Sequence, residues 1–566
     1  MPRTTLRTWA AFAATAALAA GVLSVSPSVQ AARPGTLTGI GCIGDLVDGA
    51  DTDLNTCAAG DEHIAGTGVP VVNAAGTVVY VSNYDEATVT WYSRAADGSL
   101  TARGCIADAP APSGCAEAQG LQNVWGIRLS PDGRQLYAAA MGDAAVVRLT
   151  VAANGSLSDG GCISAPTGPC ATTTPWLDGA YSVDVSDDGK DVYVGSWRAG
   201  GAVVQLRRAG SGALTATSCL SADAADGCTA SVGVTQVSWL DASSDGRSVY
   251  ATSQSGAVAM LKRDPSTGRL TSQGCLSDTD VITVPSLGCA GQAKAVAGSQ
   301  GLVVSGDGAS VYVVSGTDHA LTHLRRAADG KLTDAGCVQD VLAGVPVASG
   351  CAQSTEGLDQ VVFVTMDSDD DQVLTGSVGD NAVTTFNRSA TGSLAATGCI
   401  SDSDETGATC ASSTEGLNGS YALTVAPDGR NVYVGGWSDH ALAVLKRQVA
   451  KPAVTLAAAT KQRLAQLGVA VRSDARAATV VTGTAVATYR VKAGKKVRTK
   501  RAKLALVPAW ATLLPATSTV VKLRVKKSAA LRKLLARGAK VTLTLTATTT
   551  NDGGRVTGKA TIRVRR

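Results

Sequence analysis

Apolar and polar residues alternate along most of this chain in short runs broken by turn-forming residues, the period-two pattern of half-buried strands. Residues 127–163 show one unit of the pattern. Residues 127–129 read as a strand, and Pro131-Asp132-Gly133 turns the chain, proline presetting φ and glycine accepting positive φ. Residues 136–139 and 145–151 read as further strands around a Gly142-Asp143 turn. Asn154-Gly155 signals a hairpin, and a fourth strand follows from Leu157 to Cys162. The same anatomy returns in VSDDGKDVYVGS, SGDGASVYVVS and APDGRNVYVGGW. Four short antiparallel strands about every 60 residues predict an all-β fold made of β-propeller blades.

Counting strands predicts how the ring closes. The last unit supplies three strands, roughly residues 421–446, and stops. Residues 35–42, GTLTGIGC, match 98–105, GSLTARGC, which is the fourth strand of another unit. The expectation is a seven-bladed propeller of four-stranded blades, with the N-terminal strand completing the last blade and leaving no open edge.

The cysteines repeat with the units. There are 14, in the pairs Cys42/Cys57, Cys105/Cys115, Cys162/Cys170, Cys219/Cys228, Cys275/Cys289, Cys337/Cys351 and Cys399/Cys410. First members lie 63, 57, 57, 56, 62 and 62 residues apart, and all seven pairs fall in blade-to-blade links. Seven local disulfides bracing one rim are the simplest reading, and they suit an oxidising compartment. Metal-ligand spacing is absent, so no metal site is expected.

The N-terminus agrees with that compartment. Arg3 and Arg7 precede an alanine-rich apolar run, and Val29-Gln30-Ala31 offers a small-residue cleavage point. Residues 1–31 read as a secretory signal peptide, with no later membrane span, so the protein is expected to be secreted and extracellular or envelope-associated.

Charge divides the remainder. Residues 451–566 hold 26 Lys and Arg against two acids, a net +24, whereas residues 1–450 carry a net −20. We therefore expect a propeller over 32–448, a linker over 449–455, and a basic immunoglobulin-like β-sandwich over 456–566. Within the last, residues 541–547 and 560–564 read as strands and 528–537 as a short helix. Residues 490–503 read as a basic hairpin turning at Ala493-Gly494. Such asymmetry points to an anionic partner, here an envelope polymer, or to the acidic propeller itself. Two aromatics, Tyr489 and Trp510, give no stacking platform, so nucleic acid is not expected.

Candidate ligand-binding residues gather at one rim. Asp85, Asp143, Asp318, Asp380 and Asp439 recur in the second turn of five units, where Asp can simply bond its own backbone. Non-repeating neighbours are more informative: Tyr84, Trp197 and Trp437, with His319 and His440 after the turn aspartate. Asp178, Asp359, Asn418 and Gln122 mark the starts of inner strands near the channel mouth. Together they suit a small-molecule, carbohydrate or peptide ligand. Trp125, Tyr181 and Tyr421 share an inner-strand position and read as packing between blades. Asp-Ser-Asp-Asp-Asp at 367–371 lacks the glycine and distant glutamate of a calcium loop and reads as an acidic turn. No catalytic residue is assigned, since nucleophile elbow, metalloprotease helix and phosphate loop are all missing. No cofactor is expected, although the composition leaves room for a structural cation. A monomer is expected.

The SPDG turns, VYV strands and DNAV or DHAL hairpins, over about residues 35–448, resemble the lactonase-like, YVTN-type propeller repeats of secreted bacterial proteins. The resemblance implies a seven-bladed fold. It also implies an alternative function beside a secreted binding or scaffold module. That alternative is a lactonase-type hydrolase of the 6-phosphogluconolactonase/carboxymuconate cyclase-like superfamily.

Overall fold

The computed structural model describes residues 35–46, 57–279, 288–341, 350–403, 410–448, 454–458, 461–473, 477–513, 518–551 and 554–565. The expected signal peptide and residues 449–453 of the expected linker lie outside them.

The fold is nearly all β. Seven five-stranded sheets account for residues 37–447. Their inner strands are Thr67–Val72, Val124–Leu129, Ala180–Val185, Val237–Ala242, Ser299–Val304, Val361–Met366 and Ser420–Val425. Each packs against the next, and the last against the first, around a central channel in the manner of a β-propeller. Second strands such as Asp191–Ser196 (DVYVGS) and Ser310–Ser315 (SVYVVS) are buried along their whole length, because both faces meet neighbouring sheets.

Each sheet has one strand more than the expected four. After the disulfide-bonded link, two or three residues pair in parallel with the outer strand, as Thr172 and Thr173 do with Ile163 and Ser164. Closure uses both ends of this region: Leu37–Asp45 pairs antiparallel with Ala441–Arg447, Leu37 opposite Arg447 and Gly44 opposite Ala441.

The cystines explain the extra strand. All seven are local: Cys42–Cys57, Cys105–Cys115, Cys162–Cys170, Cys219–Cys228, Cys275–Cys289, Cys337–Cys351 and Cys399–Cys410, separated by 8 to 15 residues. The pairs were expected wholly in the links between blades; the second cysteines stand there, but the first lie inside the outer strands, as Cys105 does in Leu100–Asp108 and Cys162 in Leu157–Ser164. Cys228 leads directly into the added strand Thr229–Ala230, Cys289 precedes Gly291–Ala293, Cys351 precedes Gln353–Thr355, and Cys410 precedes Ser413–Thr414. Each bond thus ties the start of a strand too short to hold by its own hydrogen bonds to the outer strand it pairs with. Cys228 is buried there, whereas Cys289, Cys351 and Cys410 are half-buried.

The recurrent Gly-Cys has a backbone cause. The pairing register slips there, and the glycine takes positive φ, as at Gly104 (155°) and Gly398 (141°), making a β-bulge that a side chain would strain. Seven cystines suit an oxidising, extracellular setting, and no described helix is long and apolar enough to cross a membrane.

A repeated polar staple joins the sheets. Six of the seven third strands end in arginine: Arg94, Arg208, Arg263, Arg326, Arg388 and Arg447. Arg263 shows the scheme. Its Nε donates to the Tyr193 hydroxyl of the preceding sheet at 2.7 Å, and its Nη2 reaches Asp188 in that sheet's turn at 3.0 Å. Tyr193 in turn donates to the Gly268 carbonyl at 2.7 Å. The turn aspartate of the PDG-type motif is therefore an anchor for the next sheet as well as a turn former. Arg447 finds Gln372 and Asp367 instead, since Leu374 stands at that sheet's tyrosine position. The exception is the strand Ala145–Val151, where valine replaces arginine and Tyr80 bonds Gly155 alone.

Beyond residue 453 lie two further sheets around a separate core. Val454–Ala457, Gly468–Ser473 and Ser518–Lys522 form a three-stranded sheet. The second, seven-stranded sheet centres on Ala477–Ala493, Lys540–Asn551 and Gly554–Arg565. Val471, Val521, Leu543, Leu545 and Ile562 meet in the core, with Leu531 of the helix Ser528–Ala536. The first strand begins at Val454, inside the expected linker.

Candidate functional site: a divided central channel

Most rim residues singled out in the sequence hold backbone. The turn aspartates accept N–H groups at their own inner-strand starts: Asp143 from Gln122 (2.9 Å), Asp318 from Ala297 (2.8 Å), Asp380 from Asp359 (2.8 Å) and Asp439 from Asn418 (3.0 Å). The residue after that aspartate reaches the next sheet. Nδ1 of His319 accepts the Gln360 N–H at 2.9 Å, and Nδ1 of His440 accepts that of Gly66 at 2.8 Å. Both histidines sit in the left-handed region, at φ 50° and 47°. His319 Nδ1 also lies 2.6 Å from the Asp359 carboxylate. Asp178 ends the 3-10 turn Pro175–Leu177 and is exposed, as is Gln122. No described hydrogen bond or ion pair joins Asp178, Gln122 and Asn418 to one another. The carboxylate Asp370 of the acidic turn accepts the N–H groups of Gly306 and Asp307 at 2.8 and 2.7 Å, a further sheet-to-sheet tie.

The aromatic candidates do converge, with the residues read as packing. Tyr84 meets Trp437 at 5.2 Å between ring centroids, and Trp125 meets Tyr421 at 4.5 Å and Trp437 at 5.2 Å. Trp125 stacks on Tyr181 (5.6 Å, 17°), which stacks on Trp197 (6.0 Å, 30°). The Tyr181 and Tyr421 hydroxyls are 3.2 Å apart, and burial raises both above an ordinary phenol pKa. These rings fill the channel end at the cystine rim and leave a cavity of about 60 Å³.

At the other end, under the PDG-type turns, lies a larger chamber of about 400 Å³. Trp239 and Phe363 line both spaces and form the partition. The inner strands contribute unevenly to its wall. Three successive inner strands place Arg128, Asp184 and Asp241 at equivalent positions, where the other four carry Val71, Val303, Thr365 and Thr424. Arg128 Nε lies 2.9 Å from Asp184 Oδ1, and its Nη2 lies 4.0 Å from Asp241 Oδ1. The second carboxylate oxygens are fixed by backbone: Asp184 accepts from Ala242 N–H (2.9 Å) and Asp241 from Val304 N–H (2.8 Å). Arg128 is half exposed, but it opens onto the chamber, so it is wet while being surrounded by protein.

Burial, and then the neighbouring Asp184, push the Asp241 carboxyl up to about 7. Asp187, on the chamber wall, is raised by the same two causes. At that value Asp241 can give or take a proton near neutral pH. Five carboxyls line the chamber with one guanidinium, Asp367 and Asp370 of the acidic turn besides Asp184, Asp187 and Asp241, so the wall stays net negative even with Asp241 protonated, and an anionic ligand is disfavoured. Donors and acceptors above an aromatic floor suit vicinal hydroxyls. The sequence reading passed over these residues. The available signal was three charged side chains at one repeat position that is otherwise Val or Thr.

A group of metal-ligand type, His63 with Cys105 and Cys115, is spoken for, since the two sulfurs form a disulfide and offer no thiolate.

No protein-family model and no curated protein matches this sequence. Solved structures do. The Pseudomonas aeruginosa periplasmic gluconolactonase is 18% identical, covering 63% of this chain and 94% of its own, with a TM-score of 0.41. Kuenenia stuttgartiensis hydrazine synthase is 15% identical, covering 71% and 99%, at 0.44. The β-propeller domain of Cps50 from Myceliophteria thermophila is 11% identical, covering 67% and 96%, at 0.42. At such identity and TM-score, none of those proteins' activities passes to this chain.

Proposed function

We propose that the protein is a secreted seven-bladed β-propeller that binds a small, uncharged, hydroxyl-rich ligand in the chamber beneath its PDG-type turns. A basic immunoglobulin-like domain retains it at an anionic envelope polymer. The observation that carries the ligand reading is the Arg128–Asp184–Asp241 series above the Trp239–Phe363 floor. The guanidinium and carboxyls bond hydroxyls, and the rings take the apolar face of a sugar-like molecule. Phosphorylated compounds are rejected by the excess of carboxylate. The net +24 beyond residue 450 supports retention.

A second reading, hydrolysis of a neutral sugar lactone, is favoured by Asp241. A carboxyl near 7 beside a guanidinium can deprotonate water while Arg128 steadies the developing oxyanion. Calorimetry with neutral sugars and lactones, followed by a turnover assay of the same lactones, separates the two readings. Binding without turnover supports the module, and turnover lost in Asp241→Asn supports the hydrolase. Deleting residues 451–566 tests retention: the protein should then leave the wall for the medium, and unchanged wall association counts against it.

A further inference from the structure

The long hairpin of the basic domain runs past the sheet that supports it. Ala477–Ala493 pairs with Lys540–Asn551 only as far as Thr488, which faces Lys540. Residues 489–500 therefore continue as a two-stranded ribbon, pairing only with each other through Ala493 opposite Lys496. Gly494, at φ 63°, and Lys495 make the turn, one residue later than the sequence suggested.

Six of these twelve residues are cationic and none is acidic: Arg490, Lys492, Lys495, Lys496, Arg498 and Lys500. All six are exposed, and no described ion pair involves them. Their placement is ordered. Cross-strand partners are Arg490–Thr499, Val491–Arg498, Lys492–Val497, Ala493–Lys496 and Tyr489–Lys500, so no cation lies directly opposite another. Direct like-charge pairs would destabilise a ribbon that already lacks a third strand. Strand alternation puts Lys496, Arg498 and Lys500 on one face, about 6.8 Å between neighbours, and Arg490 and Lys492 on the other. Tyr489 is the ribbon's only aromatic, which disfavours a single-stranded nucleic acid.

We infer that this ribbon is the contact by which the basic domain grips a linear phosphodiester polymer of the cell envelope, an inference that rests on the retention reading. Permanently charged phosphodiesters suit evenly spaced Lys and Arg, which act through counterion release and need no shaped pocket.

The test uses the full chain and poly(glycerol phosphate) as probe, with affinity measured across salt concentrations. One variant carries Lys495→Gln, Lys496→Gln, Arg498→Gln and Lys500→Gln. A second removes the same charge elsewhere, through Arg532→Gln, Lys533→Gln, Arg537→Gln and Lys540→Gln. The ribbon variant should flatten the log affinity–log salt slope by about 3, at roughly 0.7 per lost contact, and the control by less than 1. Equal losses in the two variants would overturn the ribbon assignment. Release from the wall on deleting 451–566, but not in the ribbon variant, would do the same and leave retention standing. A single-stranded DNA oligomer binding as tightly at equal salt would overturn the choice of polymer.

Discussion

Trp239 and Phe363 meet edge to face, their ring centroids 4.9 Å apart. At Gly126 and Gly301, on two separate inner strands, a Cβ would meet the backbone of the next inner strand, at Tyr181 and Val362, at 2.7 and 2.9 Å. Strands this close leave a narrow channel that two rings can divide. Phe363 is buried, so Phe363→Ala should cost about 3–4 kcal/mol, read as a lower denaturant midpoint, and should join the two cavities. A loss below about 1 kcal/mol would mean that the rings do not brace the channel.

The arginine staples give a graded prediction. Arg263 and Asp191 are both buried and paired, so Arg263→Ala should cost about 3 kcal/mol by baring one oxygen of a buried carboxylate, whose other oxygen keeps Arg207 and Gln205. Tyr80→Phe, at the interface without an arginine, should cost about 1 kcal/mol in chemical denaturation. Equal losses would contradict the staple.

These staples mark the limit of what the sequence revealed. Strand periodicity, local cysteine pairs and the N-terminal strand were legible because each depends on neighbours in sequence or on a strict repeat. The fifth strands after Cys228, Cys289, Cys351 and Cys410 were not, since two or three residues are too few to show a period. Nor were the staples, although the third strands end in Arg at six of seven repeats, because partners such as Arg263 and Tyr193 lie 70 residues apart. The rim histidines looked chemical because His is rare here. Their role emerges only once Gln360 and Gly66 are seen to need an acceptor. The chamber was hidden for the opposite reason: Arg128, Asp184 and Asp241 are ordinary residues whose meaning lies in three strands being adjacent.

Two sets of groups should withdraw stability in acid, in separate pH windows. Burial, then the neighbouring Arg388 and Arg325, lower His323 from 6.5 to about 4. A depressed histidine contributes stability that is full above about 6.5 and is lost as pH falls through about 4. Burial alone would raise Asp132 and Asp188, but hydrogen bonds from Ser130 and Arg208, and from Ser186 and Arg263, outweigh it and hold both at about 2. Their contribution is full above about 4 and goes as pH falls through 2. Asp241, raised to about 7, has the opposite sign and gains stability as pH falls from 7 to 4, so the His323 stage is read as a difference between two proteins. The wild type should lose denaturant midpoint relative to His323→Gln between pH 6.5 and 4 and no further below 4, and a difference independent of pH would refute the assignment.

The cystine Cys42–Cys57 encloses a 15-residue loop next to the strand that closes the ring. Replacing both cysteines with serine should cost about 3 kcal/mol in the loop-entropy account. The shorter Cys162–Cys170 loop should cost less. Reversal of that order in thermal unfolding would argue against the account.

The chamber is tested most directly by titrating neutral and phosphorylated sugar lactones into wild-type protein, Arg128→Gln and Asp241→Asn by calorimetry. Neutral lactones should bind the wild type and lose at least tenfold in affinity in Arg128→Gln, while phosphorylated ones stay unbound. Binding untouched by either substitution, or a preference for the phosphorylated compounds, would contradict the chamber as the ligand site.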